Sequence, residues 1–226
     1  MPSSSPLSAR LRALLKHRVL APLLYRHPPV GLQPDRLYHW LDVLHRTKDI
    51  DGSVVEIGAN LGGTAAVAAH FDRRIGAHRR YLIIDTFSGF VPEQFESDLA
   101  KGNRESNRHA FADNSPALAR WVLDHNHAEH VEVVQGDIVT LDPARLAGPL
   151  SAALIDVDLA DPVLDALRKV WPLLSPGGIV LVDDCPEQCD WQARAGYAAF
   201  VAEQGLPERY AFDMGIVERP KNSGTR

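Results

Sequence analysis

Cysteine is nearly absent. Among 226 residues only Cys185 and Cys189 carry a thiol, in the acidic stretch DDCPEQCD. Two such thiols make no disulfide framework, which points to a reduced, cytoplasmic protein. Zinc is poorly supplied too, because no other cysteine exists and the last histidine is His130. Excess positive charge is also missing. The formal net charge is −5, and neither a basic stripe nor an aromatic–basic motif appears, so nucleic acid is not an expected partner. No apolar run approaches the roughly 20 residues of a membrane span. There is no internal repeat and no linker, so residues 1–226 are expected to form one domain.

What is present is an alternation of strand and helix patterns. SVVEIG, RYLIIDTF, HVEVVQGD, SAALIDVD and SPGGIVLVDD are short, apolar, β-branched runs. Helical spacing marks PDRLYHWLDVLHRTK, TAAVAAHF, SPALARWVLDHN, DPVLDALRKVWPLL and DWQARAGYAAFVAEQG. Ser115 stands as an N-cap ahead of a proline at the first helical position. ERYAFDMGIVER suggests a closing antiparallel hairpin. The order predicts an α/β fold, its mostly parallel sheet covered on both faces.

Residues 1–48 are expected to form a helical N-terminal cap. Leu11, Leu14, Leu15 and Val19 would share one face, capping the fold or packing on a partner subunit in a homodimer. Residues 86–115 lose periodicity and read as a lid or substrate loop. Residues 220–226 read as a frayed tail. The tryptophans fall on apolar helical stripes and are expected in the core, except that Trp191 stands close enough to the acidic run to edge a pocket. The phenylalanines of the lid are expected either to close over a ligand or to tie the loop to the core. HNHAEH, residues 125–130, reads as a solvated turn at the far end of the sheet.

EIGANLGGT, Glu56 to Thr64, follows a strand and opens a helix, as a nucleotide loop does. Its details exclude two common ligands. The dinucleotide fingerprint requires glycine two residues after the first, and Asn60 stands there; the P-loop lysine is missing as well. A cofactor with no phosphate against the loop fits better, and an NAD-dependent reductase does not. Asp85 closes the second strand 27 residues after Gly58, where an acid accepts ribose hydroxyls. Asp137 closes the third strand, placed to accept an exocyclic adenine amine.

The acidic pair Asp183–Asp184 ends the fifth strand. Two carboxylates about 4 Å apart repel by roughly 4 kcal/mol at an intermediate dielectric, which calls for a cation. Asp156 ends the fourth strand, and the same sheet exit brings the three together. An all-oxygen set without histidine favours Mg²⁺. A metal at an acceptor hydroxyl lowers its pKa and orients the oxygen. Asp156 is the expected general base as well as a ligand, with Asp158 and His109 as rivals.

These motifs, spanning residues 53–184, resemble the class I S-adenosylmethionine-dependent methyltransferases, whose first motif is similar to VVEIGANLGGT. The resemblance implies a Rossmann-like, seven-stranded sheet with an antiparallel closing hairpin. It also implies a cofactor site of Glu56, Gly58, Asn60, Gly62, Thr64, Asp85, Gly136 and Asp137. IDVDL, the later DD pair and IIDTFSGF resemble the macrocin/mycinamicin type of sugar O-methyltransferase. By that resemblance Asp156, Asp183 and Asp184 bind Mg²⁺, and the substrate is a saccharide hydroxyl of a natural-product glycoside; composition alone suggests an actinobacterial polysaccharide or glycolipid as the other saccharide. Catechol O-methyltransferase has a similar loop and metal arrangement, but its lysine base is replaced by Leu159. The family tyrosine after D-x-D-L is Ala160, and the proline after SGF is displaced to Pro92. A catechol or phenol acceptor, or a non-catalytic binding protein of the same fold, are the alternatives.

Overall fold

The computed structural model describes residues 11–12, 14–16, 20–146 and 148–221. Its strands are β1 (Ser53–Ile57), β2 (Tyr81–Asp85), β3 (Glu132–Gln135), β4 (Leu150–Ile155), β5 (Leu174–Val182), β6 (Tyr210–Ala211) and β7 (Met214–Glu218). They form one sheet in the order β3-β2-β1-β4-β5-β7-β6. The first five run parallel. β7 pairs antiparallel with β5 and with β6, closing the sheet with the expected hairpin. The helices are α1 (Ala21–Leu24), α2 (Pro34–Arg46), α3 (Gly63–Arg74), α4 (Pro92–Leu99), α5 (Pro116–His125), α6 (Ala160–Val170) and α7 (Ala193–Glu203).

Side chains alternate across a strand, and here both faces are apolar. Val55, Ile57, Ala153, Ile155, Val180 and Val182 meet Val163, Leu167 and Val170 of α6 and Tyr197 and Phe200 of α7. Val54, Ile83, Ala152, Leu154 and Leu181 meet Trp40, Val43 and Leu44 of α2 and the alanines of α3. Each fully buried Val, Leu or Ile contributes roughly 1.5–3 kcal/mol, so these two layers hold the sheet rigid beneath its loops. Ser115 caps α5 as expected, its Oγ accepting from Leu118 N at 3.1 Å.

Two expectations need correcting. Residues 86–115 are not wholly irregular: Pro92 starts α4, which buries Phe95 and Asp98. That helix has eight residues, too few for a periodic stripe, and one of its inward positions is an acid. Trp191 does not lie on a helix, because α7 begins only at Ala193. Leu11, Leu14 and Leu15, expected to cap the fold or to pack on a partner, are 59%, 53% and 44% exposed in the single chain; Val19 lies outside the described residues, as do tail residues 222–226.

Candidate active site

The chain reverses direction across the sheet at β1, which has β2 on one side and β4 on the other. Open α/β sheets bind ligands outside the strand ends at such a point. Register then decides which residues meet. Ile57 pairs with Ile84 and with Ile155, and Ile155 with Val182. The next residue along each strand is therefore on one rim: Gly58, Asp85, Asp156 and Asp183. Backbone bonds hold that level, with Gly58 N donating to Ile84 O, Asp156 N to Ile57 O and Asp183 N to Ile155 O, each at 2.8 Å.

Above the rim lies a cavity of about 320 Å³. Glu56, Gly58, Asn60, Thr64, Asp85, Gly136, Asp137, Asp156, Asp183 and Asp184 all line it. Gly62 is absent from its wall; it stands at φ +74° ahead of α3, facing Leu123 and Ile83. Several rim residues have positive φ without being glycine: Asn60, Phe87, Phe111, Asp158 and Asp184. Such strained backbone persists only where surroundings impose it, and it concentrates at functional sites.

On the β1–β2 side the groups suit a nucleoside. The Asp85 carboxylate accepts from Asn60 N at 2.8 Å and Phe87 N at 2.6 Å. Burial raises its pKa, and those two N–H groups oppose the rise. The Thr86 hydroxyl adds a longer bond to the same oxygen that Phe87 N reaches, at 3.5 Å, and leaves the other oxygen to Asn60 N alone. Asp137 accepts from Val139 N and from the Gln94 amide of α4, both at 3.0 Å. Asn114 donates to the Asn60 backbone oxygen at 2.6 Å, tying the lid to the loop. Glu56 points the other way along the alternation, into the α2–α3 layer. There Tyr81 and Trp40 donate to its Oε1. Burial outweighs those bonds and pushes its pKa up to about 7.

On the β4–β5 side the acids cluster. Asp156, Asp158 and Asp184 each offer an oxygen within 4.8 Å of the others, the one such group of His, Cys, Asp or Glu among the described residues. Burial and then mutual repulsion raise Asp156 and Asp158 well above the usual carboxylate range. Asp183 stands outside that group of three but lines the same cavity. Its Oδ1 accepts from Arg36 Nη1 at 2.9 Å, and the same nitrogen reaches Asp184 Oδ1 at 2.7 Å. Asp183 is pushed up to about 6 by burial and by Asp184, against the pull of Arg36. The Cys185 thiol is pushed up to about 12 by burial. Asp158 lines the cavity; His109 is not among its lining residues.

The third wall is aromatic. Phe90 meets Phe95, Phe111 and Trp191 at ring centroid distances of 5.5, 5.9 and 5.6 Å. The lid phenylalanines thus divide: Phe87 and Phe95 are buried, while Phe90, Phe111 and Trp191 face the cavity. Sequence reasoning missed Arg36, Gln94 and Pro29, Gly31 and Gln33, which also line it. Arg36 stands off the apolar stripe of its helix and is 147 positions from Asp183 in the chain, so no local signal marks it.

Comparison with known proteins gives the class. A methyltransferase-domain family profile matches residues 55–185, more than half of the chain, and the protein belongs to that family. One relative is the 8-demethyl-8-(2,3-dimethoxy-alpha-L-rhamnosyl)-tetracenomycin-C 4'-O-methyltransferase of Streptomyces olivaceus, 30% identical over 176 residues. The match takes in 70% of this chain but 62% of that relative, less than two thirds of its length. Among solved structures, the O-methyltransferase NovP superposes with a TM-score of 0.72 at 19% identity, covering 94% of this chain and 100% of NovP. The calicheamicin methyltransferase CalS11 gives 0.65 at 22% identity, with 95% and 93% covered. At such identities these two establish the fold.

Proposed function

We propose that the protein is an S-adenosylmethionine- and Mg²⁺-dependent O-methyltransferase acting on a sugar hydroxyl of a glycoside. The carrying observation is the shared rim: strand register sets the nucleoside-binding acid Asp85 and the carboxylates of β4 and β5 around one cavity. The tetracenomycin relative, whose name puts its methyl on the 4'-oxygen of a rhamnosyl compound, supports a sugar acceptor.

The residues fit both groups. Asp85 lines the cavity at the end of β2, where it would meet a ribose, and Thr64, at the start of α3, lines the same cavity. Asp156, Asp158 and Asp184 form an all-oxygen set whose mutual repulsion a divalent cation relieves. When bound, the sulfonium supplies an electrophilic methyl and the cation lowers the pKa of an acceptor hydroxyl. The protein's part is to hold and to dry. Phe90, Phe111 and Trp191 offer an apolar wall for the less polar face of a sugar or its aglycone, and they exclude water. Asp156 takes the hydroxyl proton, with Asp158 next to it sharing the cluster's charge. Asp156→Asn is expected to lower kcat by at least about 100-fold while the homocysteine product still binds; near-normal turnover would remove Asp156 as base.

The test of the whole is calorimetric. Mg²⁺ titrated into metal-stripped protein saturated with S-adenosylhomocysteine should give saturable heat that Asp184→Asn abolishes. A folded, cofactor-bound protein without that heat would end the metal assignment. Methyl transfer to a panel of rhamnosyl and other glycosides, with catechol alongside, tests the acceptor. Transfer to catechol alone would overturn the sugar.

A further inference from the structure

Seven carboxylates line the cavity: Glu56, Asp85, Asp137, Asp156, Asp158, Asp183 and Asp184. One cation faces them among the described residues, Arg36. Its side chain is 14% exposed, and a single nitrogen bridges Asp183 and Asp184. Its other terminal nitrogen lies 3.9 Å from Asp213, in the turn between β6 and β7. The same turn is fastened to the acid rim, since Cys185 N donates to Asp213 O at 2.8 Å. It is fastened to α2 as well, because the Phe212 ring lies 5.3 Å from that of His39. Arg36 therefore sits where the N-terminal helix, the acidic pair and the closing hairpin meet.

From this placement we infer that Arg36 is a resident counter-charge that shares the Asp183–Asp184 pair with the divalent cation, steadying the pair without metal and weakening metal binding when metal arrives. The inference rests on the metal site proposed above. A guanidinium offers fixed N–H directions and cannot be deprotonated in a protein. Here one nitrogen holds both acids of the pair, and one of them, Asp184, also faces Asp156 and Asp158. Two cations on one pair of carboxylates repel each other, so each lowers the other's affinity. Arg36 also fixes the first turn of α2, just after Gln33, Gly31 and Pro29 of the cavity wall. That wall is itself pressed onto the cofactor loop: a Cβ on Gly63 would meet Pro29 O at 2.1 Å. Metal occupancy and the set of the N-terminal wall are thereby linked.

Arg36→Gln and Arg36→Lys test this, each saturated with S-adenosylhomocysteine. Mg²⁺ affinity is measured by calorimetry in 0.1 and 0.5 M KCl, and the melting temperature in EDTA and in Mg²⁺. Arg36→Gln should bind Mg²⁺ about ten-fold more tightly, melt lower in EDTA, and gain more from Mg²⁺ than the parent. Arg36→Lys should fall between the two and keeps the test usable if Arg36→Gln does not fold. The gain should persist at high salt, because a short, largely buried contact is screened little. Unchanged or weaker metal binding in both variants, with normal binding by the parent, would overturn the role of Arg36 and leave the metal site standing. Binding by Arg36→Gln but not by the parent would support it and instead overturn Mg²⁺ dependence. No binding by any of the three would overturn both.

Discussion

Glu56 shows how one side chain ties the core to the site. It ends the inward alternation of β1, is 2% exposed, and accepts hydrogen bonds from Tyr81 and Trp40. Its pKa is raised from the model-peptide value of 4.5 to about 7 by burial. Between those values the folded chain holds a proton that the unfolded chain has lost, so stability falls as pH rises across that window and is lowest above 7. The loss is on the order of 3 kcal/mol. Metal-free protein should therefore melt higher at pH 5 than at pH 7.5, and Glu56→Gln should flatten that slope. A slope unchanged by the substitution would show that the pH dependence resides elsewhere, for instance at Asp98 or Asp183, both pushed up to about 6 and acting in the same direction.

At the scale of elements, α4 is the part of the lid with structure, and Asp98 is its fastening. Asp98 is fully buried, and its carboxylate accepts from Ala160 N at 3.1 and 3.3 Å. It thereby caps the helix that follows Asp156 and Asp158. Ser97 and Lys101 add bonds to Asp161 at 2.7 and 2.5 Å. The lid helix is clasped to α6, directly after the cluster. Losing such a cap costs about 1 kcal/mol. Asp98→Ala should raise protease cleavage within residues 86–115 and raise the acceptor KM more than it lowers kcat. Equal cleavage rates would show that the clasp does not govern the lid. This element was invisible in the sequence for a physical reason: a helix that buries an acid to cap another helix has no apolar stripe to betray it.

Across the whole molecule, the layout followed from the sequence because each apolar run is long, bounded and repeated in one order. VVEIG, YLIID and IVLVDD had to be central strands, and their common exit brought Asp85, Asp156 and the DD pair to one rim. What stayed hidden depends on contacts between segments far apart in the chain. Arg36 meets Asp183 and Asp184 only after α2 crosses the sheet. Asp183, expected beside Asp156 as a ligand, lines the same cavity and shares Arg36 with Asp184. The aromatic wall was partly legible, through Trp191 and the lid phenylalanines, but which rings face the cavity depends on the path of a loop that carries no periodicity.

The contact between Gly58 and Asp156 has a mechanical meaning. A Cβ on Gly58 would lie 1.8 Å from the Asp156 carbonyl oxygen, so the two backbones touch with no room for a methyl group. In the proposed reaction one loop would face the methyl donor and the other the acceptor. Their separation is thus gauged by bare main chain, a spacer that no side-chain motion can lengthen. In-line methyl transfer tolerates little error in that distance. Gly58→Ala would pry the gauge open at both jaws, loosening donor and acceptor together although it removes no side chain of the site.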